Sequence, residues 1–373
     1  MSSVTLIIAL LASFFVCLVL TPAVILFARR RGIVDQPDGV KKLHKKPTPL
    51  LGGLAIFLSV NLVMLFYSWY RNDLIGDTII LKNIFGIFLG SCFLAVGGYL
   101  DDKYNLKPRY QILWPIAAVM SVIVCGIGID AMTNPFGDGM VSLNNFDWTL
   151  FWYQGFPYKI TLFADVFTFI WLMGMMYTTK LLDGVDGLVS GVTVIGATFI
   201  FLTALNKGEI IQYDVAMLAL ILIGVFIGFL VFNFNPASIF LGEGGSTMAG
   251  FLLGALSIVS GSKVGVTLML LSIPILDFIW TIIRRVMENN SPFSTADRKH
   301  LHHRLLEAGF SQKQAVMFLY AIAVAFGCLV YFAQDFGWPL LGLFIVAVVV
   351  FMLILAYAYR TKIRENRRLT TIK

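Results

Sequence analysis

Charged residues are scarce in this sequence. Asp, Glu, Lys and Arg make up 13% of its 373 residues, against about 25% in soluble domains. So little charge cannot cover the surface of a globule of this size, which excludes a soluble enzyme. A disordered chain is excluded as well, because 58% of the residues are hydrophobic and disorder requires low hydrophobicity.

Cysteine is also rare, and it is placed where it cannot form a metal or disulfide framework. The four cysteines all lie inside apolar runs, at Cys17, Cys92, Cys125 and Cys328. This placement is typical of small buried side chains. Neither a disulfide scaffold nor a cysteine zinc site is therefore expected.

Long apolar runs dominate what remains. About 20 apolar residues cross a bilayer core, and the candidate spans are 4–28, 50–70, 79–99, 110–131, 162–181, 187–206, 214–232, 246–261, 264–283, 314–333 and 338–359. The first run is followed by Arg29-Arg30-Arg31 instead of a small-residue cleavage site, so we interpret it as a retained helix. The sequence predicts an all-α integral membrane protein, a single polytopic domain over residues 1–373 with about eleven transmembrane helices.

The basic residues predict the orientation. Of the 28 Lys and Arg residues, 23 fall in alternate loops and in the C-terminal segment. These segments are 29–49, 101–109, 180–187, 233–246, 284–313 and 360–373. Because cytoplasmic loops are enriched in Lys and Arg, we expect the N-terminus outside, the C-terminus in the cytoplasm and active-site loops facing the cytoplasm. The net charge of +7 then reflects topology and not a nucleic-acid partner.

The same loops collect carboxylates and all four histidines. Asp101-Asp102 ends the third span, where the helix dipole and the like charges both disfavour two carboxylates. Such a pair calls for a cation, either Mg²⁺ or a close basic side chain. The alternative is a loop pair solvated by water.

Two glycine-rich turns carry further acids. Asp183-Gly184-Val185-Asp186-Gly187 joins the fifth and sixth spans, and its two acids share a face if a helix starts there. The Phe240–Ser246 turn contains Glu243, which could ligate Mg²⁺ while backbone N–H groups face phosphate oxygens. The alternatives are a simple helix cap for the first turn and a flexible surface turn for the second.

The longest cytoplasmic loop holds a histidine string, Asp297-Arg298-Lys299-His300-Leu301-His302-His303-Arg304. On a helix, residues 297, 300 and 304 would share a face, and Asp297 would fix the tautomer of His300. The neighbouring basic residues favour pyrophosphate over zinc as the ligand. In the first loop, Lys46 belongs to a basic cluster that could meet either a ligand or anionic lipids.

Acids within the spans suggest another class of function. Asp165 and Asp277 lie inside predicted spans, and intramembrane carboxylates often carry protons or ions. A secondary transporter or lipid-phosphate flippase is therefore the alternative hypothesis. Asp277 could instead be a helix-packing hydrogen-bond partner near the reactive loops.

In this order, the motifs resemble the polyprenyl-phosphate N-acetylhexosamine-1-phosphate transferases, over nearly the whole chain. The histidine string and the Arg-Leu-Leu that follows look like the GlcNAc-1-phosphate branch and not the muramoyl-pentapeptide branch. The family is similar in having eleven helices and a cytoplasmic site. This sequence departs from it at Lys180, where the family usually has Asn, and at Glu243, where it usually has Asp.

The resemblance implies transfer of a HexNAc-1-phosphate, GlcNAc-1-phosphate in this branch, from a UDP-N-acetylhexosamine to undecaprenyl phosphate. The products are polyprenyl-pyrophosphoryl-HexNAc and UMP, made in the bacterial inner membrane among its lipids. A homodimer is left open. Mg²⁺, with Mn²⁺ as the alternative, is the expected cofactor.

Roles follow for individual residues. We assign catalysis to Asp101, Asp102 and Asp183, and metal ligation to Asp102, Glu243 and Asp101. By resemblance, Asp183, Asp186 and Asn233 hold the nucleotide. Pyrophosphate binding falls to His300, His302, His303 and Arg304, with Lys46 and Lys180 as further substrate-binding cations.

Overall fold

The structure is a computed structural model that describes residues 2–37, 46–71, 73–133, 140–143, 147–153, 156–206, 211–261, 264–288, 300–333 and 340–371. Most of these residues are helical. The helices are α1 (Ser3–Arg30), α2 (Gly52–Leu65), α3 (Leu81–Tyr104), α4 (Pro108–Gln111), α5 (Leu113–Val124), α6 (Leu162–Leu182), α7 (Leu188–Asn206), α8 (Tyr213–Asn233), α9 (Gly242–Val259), α10 (Val264–Leu270), α11 (Ser272–Met287), α12 (Leu301–Glu307), α13 (Gln312–Ala333) and α14 (Leu340–Thr371). A π-helical turn, Phe66–Tyr70, continues α2.

The helices bear out a polytopic membrane protein. Every predicted span overlaps a helix or a helix pair, although the helices in the span 110–131 end at Val124. Within the described ranges, seven helices are long and apolar enough to cross a membrane, and eight if α10 and α11 form one bent span. The count of eleven and the sides of the termini stay predictions.

One predicted span is broken. The axes of α10 and α11 differ by 73° at Leu271. Pro274 explains why the helix does not continue, because proline has no N–H to donate to the carbonyl of Leu270. The break turns α11 so that its polar face, which carries Asp277 and Thr281, is buried in the protein.

Short strands occur outside the spans of this mostly helical chain, which is consistent with the all-α prediction. They form three antiparallel pairs: β1 (Val34–Asp35) with β2 (Thr48–Pro49), β3 (Ala131–Thr133) with β4 (Met140–Ser142), and β5 (Asp147–Tyr153) with β6 (Phe156–Thr161). The β5–β6 segment is rich in aromatic residues and threonine, which fit a pleated strand. Pairing also satisfies the backbone N–H and C=O groups of these segments.

Two helices form the centre of the bundle. α8 is buried along most of its length and packs on α1 and α7. α9 packs on α3, α6 and α2. Because α9 begins where α3 and α6 end, its N-terminus lies beside the acids that close those two helices. This arrangement positions the candidate active site.

Candidate active site

Glycines allow the backbones of α2, α3 and α9 to touch. The Gly53 N–H donates to the Leu241 carbonyl at 2.9 Å. A Cβ added at Gly53 would lie 2.4 Å from the Gly245 nitrogen, and one at Gly98 would lie 2.2 Å from the Gly244 Cα. No side chain fits at such distances. The glycine motifs therefore serve first to bring the ends of these helices together.

That packing places Asp102 against the N-terminus of α9. The Glu243 N–H donates to Asp102 Oδ1 at 3.1 Å. Gly242 has φ +70°, and a Cβ there would lie 2.4 Å from Asp102 Oδ2. The positive end of the α9 dipole favours both carboxylates at this point. Asp102 and Glu243, predicted together as metal ligands, are thus brought together.

Asp101 points to a different set of partners. Its Oδ1 accepts hydrogen bonds from the Leu106 N–H at 2.9 Å and from Gln111 Nε2 at 2.8 Å. Gln111 ends α4 and was not predicted as a site residue. Its position at the end of a short helix that begins at Pro108, at the edge of an apolar run, is the signal that could have identified it.

Lys180 forms an ion pair with Glu243. Its Nζ contacts Glu243 Oε1 directly and lies 3.5 Å from Gln111 Oε1. The Lys180 and Glu243 side chains are 24% and 21% exposed. The two positions at which the sequence departs from the family pattern are therefore in contact.

Asp183 follows the last residue of α6 and belongs to the same group of charges. Desolvation, together with the negative charges of Glu243, Asp102 and Asp186, raises the pKa of Asp183 to about 8. We call Asp102, Asp183, Asp186 and Glu243 the acidic cluster. α7 begins only at Leu188, so residues 183–187 form a turn, and the expected helical face shared by Asp183 and Asp186 is wrong.

The acidic cluster suits a hard divalent cation that also binds substrate. Carboxylate oxygens are the ligands that Mg²⁺ prefers, and it commonly takes only one or two of them plus phosphates and water. In the described part of the chain, no three Asp, Glu, His or Cys side chains converge closely enough to hold a metal ion by themselves. The residues fit Mg²⁺ bound jointly with a phosphate and not in an all-protein cage.

Asp186 and Asn233 form hydrogen bonds that connect neighbouring segments of the protein at this site. Asp186 Oδ2 accepts hydrogen bonds from Asn235 Nδ2 at 2.9 Å and from the Ala237 N–H at 3.1 Å. Asn233 is 2% exposed. Its Oδ1 accepts from Ser190 at 2.9 Å, and its Nδ2 donates to the Ile239 carbonyl at 3.0 Å. Asn233 is thus placed as a scaffold residue, and its assignment to the nucleotide stays a prediction.

The histidine segment is anchored by an acid from α11. Asp277 Oδ2 lies 3.2 Å from His300 Nδ1. Asp297, the expected partner, lies outside the described residues. His300 has extended backbone angles and precedes α12, so the expected helical face through residues 297, 300 and 304 is wrong.

His302 joins this segment to the Asp183 turn. A Cβ added at Gly184 would lie 2.1 Å from His302 Nε2. His302 is 2% exposed, and its Nε2 has no hydrogen-bond partner among the residues that the structure describes. Burial, with His303 and His300 nearby, holds the pKa of His302 well below its usual value. A neutral imidazole with a free nitrogen therefore lies beside the acidic cluster.

The remaining predicted residues lie at the margin. The ring of His303 is 4.3 Å from that of His302, centroid to centroid. Arg304 lies in α12, and its backbone N–H donates to the His300 carbonyl at 3.0 Å. Lys46 is exposed just before β2. Tyr320, whose hydroxyl donates to the Gly187 carbonyl at 2.5 Å, carried no sequence signal because it lies within an apolar helix.

Comparison with known proteins agrees with this geometry. A profile described as Glycosyl transferase family 4 matches residues 84–261, the range that carries Asp102, the Asp183 turn and Glu243. A Bacillus subtilis relative named probable undecaprenyl-phosphate N-acetylglucosaminyl 1-phosphate transferase is 31% identical over 329 residues, covering 87% of this chain and 83% of its own. The chain belongs to the polyprenyl-phosphate N-acetylhexosamine-1-phosphate transferases.

Other relatives of this transferase differ in lipid and sugar. A Mycolicibacterium smegmatis decaprenyl-phosphate N-acetylglucosaminephosphotransferase is 26% identical over 354 residues, covering 88% of this chain and 82% of its own. A Streptococcus uberis phospho-N-acetylmuramoyl-pentapeptide-transferase is 31% identical over 261 residues, covering 67% of this chain and 72% of its own. The transferase family thus includes relatives named for two sugar donors.

Proposed function

We propose that this transferase moves N-acetylglucosamine-1-phosphate from its UDP-sugar to undecaprenyl phosphate, at the cytoplasmic face of the bacterial inner membrane. The named relatives support the reaction class. The observation that carries the proposal is the acidic cluster beside a buried histidine segment, at the ends of α3, α6 and α9. The 23 of 28 Lys and Arg residues on that side support the cytoplasmic face.

The reaction is a phosphoryl displacement. An oxygen of the lipid phosphate attacks the β-phosphorus of the UDP-sugar, and the bond between that phosphorus and the bridging oxygen breaks. UMP leaves with the bridging oxygen, and the new pyrophosphate links lipid to sugar. The attacking phosphate is mostly dianionic at pH 7, because its second pKa is about 6. It therefore needs orientation and charge neutralisation more than a strong base.

The residues divide these tasks. Asp102 and Glu243 would hold Mg²⁺, or Mn²⁺, which supplies neutralisation of the diphosphate charge. Asp101, fixed by Gln111, supports the α3 terminus. Asp183, whose pKa lies above neutral, can hold a proton beside the phosphates. The free His302 Nε2 offers a hydrogen bond to a donor phosphate, with Arg304 and Lys46 as further cations.

The transporter alternative was motivated by Asp165 and Asp277, and both acids have structural partners. Asp277 binds His300 at the site, and Asp165 Oδ2 accepts the Thr161 N–H at 2.9 Å at the start of α6. Both intramembrane acids therefore have local structural partners in place of an ion path.

The decisive experiment is a UMP-release assay with purified protein in nanodiscs. Undecaprenyl phosphate, Mg²⁺ and a panel of UDP-sugars are supplied, and UMP is quantified. We expect release with UDP-N-acetylglucosamine, loss of release with EDTA and recovery with added Mg²⁺. Absence of UMP with every UDP-N-acetylhexosamine contradicts the proposal, and EDTA-resistant release contradicts its metal requirement.

A further inference from the structure

The Lys180–Glu243 ion pair lies at the carboxylate that is also proposed to bind metal. Lys180 is in the last turn of α6, and Glu243 is in the first turn of α9. Their contact is direct. The Lys180 ammonium also lies 5.5 Å from the centre of the Tyr177 ring, which adds a cation–π attraction. Lys180 is thus held at Glu243 by two favourable contacts.

Lys180 places a positive charge in direct contact with the acidic cluster. The carboxylates of that cluster repel one another, and after burial the negative charges of Glu243, Asp102 and Asp186 contribute to the raised pKa of Asp183. An ammonium at Glu243 reduces this repulsion. The cluster therefore contains an internal counter-ion that stands where a divalent ion would bind.

A divalent ion and this ammonium cannot share Glu243. Lys180 already contacts Oε1, so a divalent ion on either oxygen of this carboxylate would lie within a few ångströms of the ammonium, and like charges at that distance repel strongly in a partly buried site. Entry of the metal must therefore displace Lys180. Glu243 is the group for which the two cations compete.

Gln111 and the phosphate oxygens of a bound donor are partners that a displaced Lys180 ammonium can reach. Gln111 Nε2 is already committed to Asp101 and to the Leu106 carbonyl, at 2.8 and 3.0 Å, so its Oε1 stays turned toward Lys180. The ammonium is a compact point charge on a flexible stem and suits phosphate oxygens. A donor diphosphate bound with the metal would supply such oxygens beside it.

We propose that Lys180 is an exchangeable counter-ion, which neutralises Glu243 in the free enzyme and transfers to the donor diphosphate when metal and donor bind. Gln111 is the positioning residue that guides this transfer. The inference rests on the proposed function for its donor half. Metal and donor would then bind cooperatively, because each removes the obstacle to the other.

The test replaces Lys180 by methionine, which keeps the stem and removes the charge. Mn²⁺ alone is titrated into donor-free protein and followed by electron paramagnetic resonance. We expect Lys180→Met to bind Mn²⁺ at least about fivefold more tightly than the wild type, because its competitor is gone. With Mn²⁺ saturating, it should bind UDP-N-acetylglucosamine at least about tenfold more weakly, because a charged phosphate contact is lost.

Arg109→Gln is the matched control, because it removes one positive charge from an exposed residue that contacts its own neighbour Tyr110. It should leave both affinities unchanged, and Lys180→Arg should stay close to the wild type in metal binding. If Lys180→Met does not fold, Lys180→Gln replaces it. Unchanged or weaker Mn²⁺ binding in the neutral variant overturns the inference, as does unchanged donor affinity. The Mn²⁺ titration needs no turnover, so its result is separable from the UMP-release assay.

Discussion

Asp277 and His300 join α11 to the histidine segment. The Asp277 carboxylate lies 3.2 Å from His300 Nδ1 with one oxygen and accepts the Leu301 N–H at 3.1 Å with the other. Asp277 is 7% exposed and His300 is 5% exposed. The acid therefore fixes both the ring of His300 and the start of α12, which leaves His300 Nε2 as the atom available to other groups.

Replacing Asp277 by asparagine should lower the rate of UMP release about 10- to 100-fold, the usual cost of losing a partner that orients a functional histidine. The amide can still accept the Leu301 N–H but no longer stabilises the required His300 tautomer. We expect kcat to fall more than KM rises, with a shifted pH profile. Asp165→Asn, which alters a partly buried acid at the start of α6, should retain activity. Wild-type turnover by Asp277→Asn would show that the pair does not position His300.

Gly184→Ala should damage the protein where the Asp183 turn meets His302. The added Cβ would lie 2.1 Å from His302 Nε2, so one of the two segments must move. We expect a loss of about 1–3 kcal/mol in stability and at least a tenfold loss of activity, measured by thermal unfolding and UMP release. Gly174→Ala is the control, because nothing lies within 4 Å of its added Cβ. A second change, His302→Ala, should restore the stability of Gly184→Ala but not its activity.

Glu243 should tolerate only another carboxylate. Glu243→Asp should retain or raise activity, since the oxygen ligands remain while the shorter side chain withdraws from Lys180. Glu243→Ala should lose at least about tenfold in UMP release, as expected for a lost metal ligand. Asp73→Ala, which removes an acid paired with Arg71 at the far end of α2, should have no effect. An active Glu243→Ala protein would remove Glu243 from the metal site.

His302 should make the protein less stable in mild acid. Its lowered pKa means that, below a pH of about 6.5, the unfolded chain takes up a proton that the folded protein does not. The free energy of unfolding then falls by up to about 1.4 kcal/mol per pH unit, until the pH reaches the lowered pKa of the folded state. Above that window His302 is neutral in both states and contributes nothing.

The measurement compares melting temperatures of the wild type and His302→Gln at pH 7.5, 6.5 and 5.5. The wild type should lose more stability between pH 6.5 and 5.5 than the variant does. Asp183 acts with the opposite sign, because its raised pKa stabilises the fold at low pH and that contribution is lost as the pH rises toward 8. It is present in both proteins and cancels in the comparison. Parallel melting curves would mean that His302 takes up its proton in the folded state.

The sequence predicted the helices better than the contacts between them. Apolar runs of membrane length coincide with α1, α3, α6, α7 and α8 because helix formation in lipid depends on local composition and internal hydrogen bonding. The strands β1 to β6 were missed, since strand pairing depends on a partner segment. The prediction that His300 lies on a helical face was wrong because α12 begins one residue later, at Leu301.

Local sequence alone determined that this chain enters a membrane and which polar motifs it presents at the ends of its spans. Only the tertiary structure decided which of those groups meet. Lys180 and Glu243 are 63 residues apart, and Asp102 and Glu243 are 141 apart. The contact of Asp102 with Glu243 depends on glycine backbones that allow α2, α3 and α9 to touch. The contact of Asp277 with His300 is likewise made between distant segments. Such contacts follow from packing between distant segments, which no local pattern of residues encodes.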